Sequence, residues 1–249
     1  MDNKITSIER KITGEPTIVK GTIEENCVFE NTIMGGYGTL IIDKEFIDDM
    51  ASIAQSLTFS NSFIDLFSQV CNKVSDYYTS NQKNELQREE TYNQNVVVDE
   101  EGMIIGTKIS SLKGKNISKC SEKSVAAYII FKYLFDNNKI TRLPSLVLSK
   151  LGVFDSEKRE PHAFMTFEKE SDNYPTKYLL FDIENPTEIA DDSGKKYLVP
   201  GLYSLTDEEQ ESIEIGNQCS PTSLFELIGK FHEIGAKRIY GSIIKTKKM

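Results

Sequence analysis

Cys120, His162 and Asp182 are the residues of this chain whose types and order could do chemistry together, and that chemistry is acyl transfer to sulfur. A thiolate, not a thiol, attacks a carbonyl carbon, so a working cysteine needs surroundings that favour its charged form. Cys120 stands where the polar stretch "SLKGKNISK" gives way to the apolar run "SVAAYIIFKYL". With a helix beginning at Ser118 or Lys119, its sulfur sits at the positive end of the helix dipole. The backbone N–H groups there have no partner inside the helix. Those donors can hold the oxyanion formed when sulfur adds to a carbonyl.

A thiol nucleophile needs a base, and the chain has two histidines. His232 falls one turn after Ile228 in an amphipathic stretch and reads as a partly packed helix residue. His162, in "EPHAFMTF", opens a strand behind a proline that keeps the approach extended. The next strand, "KYLLFDIENP", follows a loop of turn formers, "EKESDNYPT". An antiparallel hairpin turning on position 172 pairs 162 with 182, putting His162 and Asp182 on one face with Cβ atoms about 5 Å apart. Phe181 and Ile183 flank Asp182, an apolar setting in which a carboxylate needs a specific partner. Cys219, in "GNQCSPTS", is the rival thiol. It too precedes a helix signal, but it follows the histidine and aspartate, and Ser220 or Thr222 can cap that helix without it. Each residue alone has an ordinary reading: a small hydrophobe at a helix start, a strand opener, a turn former.

The elements that carry these residues follow from periodicity. Residues 16–42 read as two or three strands, with Gly35-Gly36-Tyr37-Gly38 as a strand turn, since no Lys-Ser/Thr follows it. From Lys44 the period turns helical, through Phe46, Met50, Ile53 and Leu57. It resumes through Phe63, Phe67, Val70, Val74 and Tyr77, giving two helices with a break near Ser60 and Asn61. Cys71 lies on the apolar side of the second and reads as a buried, inert thiol. Residues 79–95 are polar and predict a flexible loop or a solvated helix end. Residues 96–98 and 103–109 predict a hairpin. The helix over about 118–135 is apolar on nearly every face and belongs in the middle of its domain. Strands follow at 145–149, 162–167 and 177–183, then an acidic loop at 188–194 and a short acidic helix over 205–214. A last helix is expected from Ser220-Pro221-Thr222, with Leu224, Leu227, Ile228, Phe231 and Ile234 as its stripe, and "RIYGSII" as a closing strand.

Composition bounds the function. The 249 residues carry 29 basic and 38 acidic side chains, a net charge of −9, which argues against a nucleic-acid partner. The short basic end "KTKKM" reads as a solvated tail. Four widely spaced cysteines, with no Cys-x-x-Cys, argue against a zinc site or a disulfide framework. No apolar run approaches the roughly 18 residues of a membrane span, and the N-terminus lacks the apolar core of a signal peptide. A cytosolic location is the default expectation.

In this order of residues the chain resembles the transglutaminase-like superfamily of papain-like Cys-His-Asp cysteine enzymes. Their pattern is a cysteine at the start of a central helix, then His-Ala on one strand and an aspartate, often before a proline, on the next. Here stand Cys120-Ser121-Glu122, His162-Ala163-Phe164 and Asp182-Ile183-Glu184-Asn185-Pro186. The resemblance covers residues 110–190. It implies an α+β fold, with a papain-like or transglutaminase-like core in which a central helix packs on an antiparallel sheet. It also implies Cys120 as nucleophile, His162 as general base, Asp182 as the group orienting the histidine, and no cofactor. Family members often have Gly-x-Cys and a tryptophan after His-Ala. This chain has Ser118 and Phe164 there and no tryptophan, so Asn116 becomes the candidate oxyanion donor beside the backbone N–H of Cys120. Residues 1–95 form an N-terminal extension of strands and two helices, packed on or continuous with a catalytic core over 96–249. The expected activity is that of a protease, deamidase or transglutaminase on a protein or peptide substrate. A bacterial effector, carried into a host cell without a signal peptide, is one setting by analogy. The alternative is a non-catalytic protein-binding module that keeps the fold.

Overall fold

The computed structural model describes residues 6–8, 17–21, 23, 25, 27–29, 40–59, 63–78, 85–149, 162–168, 177–190, 196–215 and 222–223. In chain order the elements begin with strands β1 (Thr6–Ile8), β2 (Thr17–Val19), β3 (Cys27–Phe29) and β4 (Leu40–Ile41). Helices α1 (Lys44–Ser56), α2 (Phe63–Tyr78) and α3 (Glu85–Gln94) follow, then the hairpin β5 (Val96–Val98) and β6 (Ile104–Lys108). After a 3₁₀ turn, Ile109–Leu112, come α4 (Cys120–Asp136), β7 (Ser145–Ser149), β8 (His162–Glu168), β9 (Tyr178–Ala190), β10 (Lys196–Leu205), α5 (Asp207–Glu214) and β11 (Thr222–Ser223).

The strands form two sheets. One is mixed, in the order β1-β3-β4-β6-β5. The other has six strands in the order β11-β10-β9-β8-β7-β2, every neighbouring pair antiparallel. The fold is therefore α+β, with antiparallel pairing in the sheet that bears His162 and Asp182.

Helix α4 explains the layering. Every residue from Glu122 to Phe131 is buried, so the helix must be covered all round. Helices α1 and α2 pack on it, and so do β7, β8 and β9. At the centre the Phe67 ring lies 5.1 Å from Phe131, 4.7 Å from Phe167 and 4.7 Å from Phe181 (centroid to centroid), largely edge to face. The main core cluster takes in Leu40, Phe46, Phe67 and Tyr92 together with Val125, Phe131, Met165 and Phe181. Alternation along the strands fills the other face of the sheet. Val147, Phe164, Leu180 and Leu205 form a smaller cluster there with Ile213 of α5.

Five elements differ from the sequence reading. Strand β1, paired with β3 over Thr6↔Cys27 to Ile8↔Phe29, lies ahead of the stretch expected to hold the first strands. Residues 85–94, expected as loop or solvated helix end, form helix α3, which buries Tyr92 and Thr91. Strand β9 runs on to Ala190, through part of the expected acidic loop, because β10 pairs with it over Lys196↔Ala190 to Val199↔Thr187. Strand β10 was not anticipated. Its run "KYLVPGLYSL" is broken by Pro200-Gly201, and the ladder accommodates that break as a bulge between Val199 and Gly201. Thr222 and Ser223, read as a helix start, instead pair with Ser204 and Tyr203 at the open sheet edge, where tertiary pairing outweighs the local capping signal. The remainder of the expected last helix, "RIYGSII" and the glycine cluster at 35–38 lie outside the described residues. Cys71 is half-buried against the main core. Among the described residues no helix is long and apolar enough to cross a membrane.

Candidate active site

Cys120 is the first residue of α4. Lys119 before it is extended, with φ −119° and ψ −171°, and acts as the helix cap position. A lysine side chain has no acceptor to offer the first turn, so only the return half of a capping box is made. In that half the Glu122 carboxylate accepts from the Lys119 N–H at 3.1 Å and from the Ser121 hydroxyl at 3.3 Å. The Tyr92 hydroxyl donates to its other oxygen. Glu122 is fully buried, so these donors replace the water its carboxylate has lost. The Tyr78 hydroxyl donates to the Glu122 carbonyl at 3.3 Å. Helices α2 and α3 thus grip the turn that presents the sulfur.

The loop ahead of Cys120 is tied to the end of α2. Gly114 and Asn116 take left-handed backbone, φ 68° and 56°, and their N–H groups donate to the Tyr77 and Tyr78 carbonyls at 2.9 Å each. Asparagine tolerates that conformation better than most residues. The part the structure gives Asn116 is this turn, four residues before the sulfur.

His162 and Asp182 come together. The imidazole Nε2 lies 2.7 Å from Asp182 Oδ2, with the histidine side chain 12% exposed and the aspartate fully buried. Asp182 Oδ1 accepts from the Glu184 backbone N–H at 3.0 Å, which fixes the tilt of the carboxylate. The ring also stacks on Phe164, 6.0 Å between centroids and 30° between planes. Across β10, the residue opposite Asp182 is Gly201, beside the bulge.

The register is not the expected one. Met165 pairs with Phe181, where a 162↔182 pairing requires 179, so the hairpin is shifted by two residues. The offset is even, and side chains on a strand alternate with period two, so His162 and Asp182 still share a face. They meet along a diagonal instead of straight across.

The ladder between β8 and β9 runs from Glu168↔Tyr178 to Met165↔Phe181. Past its last rung the start of α4 fits against both strands. The Ser124 hydroxyl donates to the Ala163 carbonyl at 2.9 Å, and the Lys123 ammonium lies 2.5 Å from Glu184 Oε2. The same turn of helix that carries Cys120 is thereby held to the strand of His162 and the strand of Asp182.

Sulfur and ring interact. Burial alone pushes the His162 imidazole below its ordinary 6.5. The hydrogen bond to Asp182, the hydrogen bond to Cys120 and the charges of both partners outweigh it and raise the value to about 10. Nε2 is committed to Asp182, so Nδ1 is the nitrogen left for the thiol. Cys120 is free and half-buried, open enough to be reached. The arrangement can hold a thiolate beside an imidazolium backed by a carboxylate. Cys219 and His232 lie outside the described residues. The sequence reading missed Glu122, Lys123 and Glu184, since a charged residue that ends up buried carries no local mark of it, and Tyr92, which stands in the polar stretch "ELQREETYNQ".

Compared with family models, with curated proteins and with solved structures, the chain matches none.

Proposed function

We propose that the protein is a thiol-dependent acyl-transfer enzyme of transglutaminase-like kind, acting on a peptide or glutamine carboxamide through Cys120, His162 and Asp182. The observation that supports this reading is the 2.7 Å bond from a fully buried Asp182 to a histidine whose ring also interacts with the sulfur of Cys120. A carboxylate buried without a partner is costly, and here it is matched to a ring that also interacts with the thiol.

In this mechanism the Cys120 thiolate adds to the carbonyl carbon, forming a C–S bond and an oxyanion. The Cys120 N–H, unpaired within the first turn of α4, takes that charge, with Asn116 as the candidate second donor. The His162 imidazolium gives its Nδ1 proton to the leaving nitrogen as the C–N bond breaks, and ammonia or an amine departs. Water or an amine then attacks the thioester. His162 accepts the proton of the incoming nucleophile, and the thiolate is released. Water on a peptide gives proteolysis, water on glutamine gives deamidation, and an amine gives cross-linking. Asp182 keeps the ring turned and offsets its charge throughout.

Alkylation with iodoacetamide across pH, followed at each cysteine by mass spectrometry, tests this. Cys120 is expected to react fastest of the four thiols and to keep its lead near pH 6, where an ordinary thiol, with a value of about 8.5, is almost wholly protonated. His162→Ala should abolish that lead. Four equally slow thiols would instead mark a non-catalytic binding module.

A further inference from the structure

Lys123 and Glu184 form an ion pair at 2.5 Å with side chains only 10% and 9% exposed, buried further than any structural role on a surface requires. Taking two charges this deep out of water is costly, and a buried pair commonly adds little net stability over apolar residues of similar size. Its position gives it another use. Lys123 is in the first turn of α4, three residues after Cys120, and Glu184 is two residues after Asp182 on β9. The Glu184 backbone N–H is itself the donor that fixes Asp182 Oδ1 at 3.0 Å. A continuous set of contacts therefore runs from the nucleophile's helix through Lys123, Glu184 and Asp182 to His162, and back to the sulfur. It crosses the place where the β8–β9 ladder has already ended, so no backbone rung of that ladder sets the height of Asp182 against His162.

We infer that Lys123 and Glu184 are positioning residues: their ion pair clamps the aspartate-bearing segment of β9 to the nucleophile's helix and so sets the Asp182–His162–Cys120 alignment. This rests on the thiol reading above. Neither residue touches the reacting atoms. Both act through Asp182.

The full-length protein is alkylated with iodoacetamide from pH 5 to 9, with thermal unfolding measured alongside. Glu184→Gln should slow Cys120 alkylation at pH 6 roughly tenfold, the size of a coupling between charged neighbours. In an Asp182→Asn background the same change should add almost nothing, since the path through Asp182 is already cut. Additive losses would overturn the proposal. The double variant Lys123→Met/Glu184→Met guards against misfolding, because apolar replacement of a buried pair is neutral or stabilising in many proteins. It should melt no lower than the unaltered chain and still lose the Cys120 advantage, whereas a retained advantage would overturn the clamp. A fast native thiol unchanged in both variants removes the pair's role and leaves the thiol reading standing. A native Cys120 no faster than the other thiols removes both.

Discussion

Replacing Asp182 by Asn changes one charge at nearly constant shape, and its effect depends on pH in a direction the structure dictates. Asn keeps one acceptor oxygen where Asp182 uses two, Oδ2 for the His162 Nε2–H and Oδ1 for the Glu184 N–H, so one of these bonds is lost, and its amide cannot balance an imidazolium. The folded protein holds His162 at about 10 against 6.5 for a free ring. A folded-state value raised in this way contributes stability that is present in full below pH 6.5. That contribution falls away as pH rises through about 10. The gap corresponds to ~5 kcal/mol as a ceiling, and loss of one partner from a buried pair is worth about 3–5 kcal/mol. The expected difference in unfolding free energy between the native protein and Asp182→Asn is therefore about 3–5 kcal/mol at pH 6, shrinking near pH 10 to the roughly 1 kcal/mol of one lost hydrogen bond. In a chain of this size that is a drop in melting temperature on the order of 10 °C at the lower pH. Urea unfolding of both proteins, under reductant and at half-unit steps from pH 5.5 to 10, gives the difference directly, and other titrating groups cancel in the subtraction. Two parallel curves would refute the claim that Asp182 holds a charged ring, and a gap that widens with pH would reverse its sign.

Tyr92→Phe removes a donor from the buried Glu122 carboxylate and should destabilise by about 1–3 kcal/mol, read from urea unfolding. Ser124→Ala strips the Ala163 carbonyl of its hydroxyl partner. It should cost about 1 kcal/mol and slow alkylation of Cys120, since that bond holds the helix start against the histidine strand. Phe67→Ala empties the meeting point of three aromatic rings and should cost about 3–5 kcal/mol, leaving a protein that unfolds earlier on heating.

The candidate site was legible because period-two alternation is forgiving. An error of two residues in the hairpin register leaves His162 and Asp182 facing the same way, and only an odd error would have parted them. The buried helix of Cys120 was legible because its buried run from Val125 to Phe131 is unbroken by charge and so marks every face of the helix. What failed was structure resting on few or long-range contacts. Helix α3 buries Tyr92 and Thr91 within the polar sequence "ELQREETYNQ", which shows no hydrophobic period. Strand β10 hides behind Pro200-Gly201, a pair that reads as a break until a bulge absorbs it. Lys123 and Glu184 are 61 residues apart, and each by itself has the composition of a solvated surface position.

The main core does not respect position 95: Phe67 sits among Phe131, Phe167 and Phe181, while Tyr92 caps the carboxylate of Glu122. Deleting everything before residue 96 would therefore bare the heart of the molecule to solvent and strip the sulfur's helix of its anchor, inviting clumping instead of yielding a trimmed, working fragment. Dissection of this protein has to proceed one side chain at a time, with the early third of the polypeptide left in place.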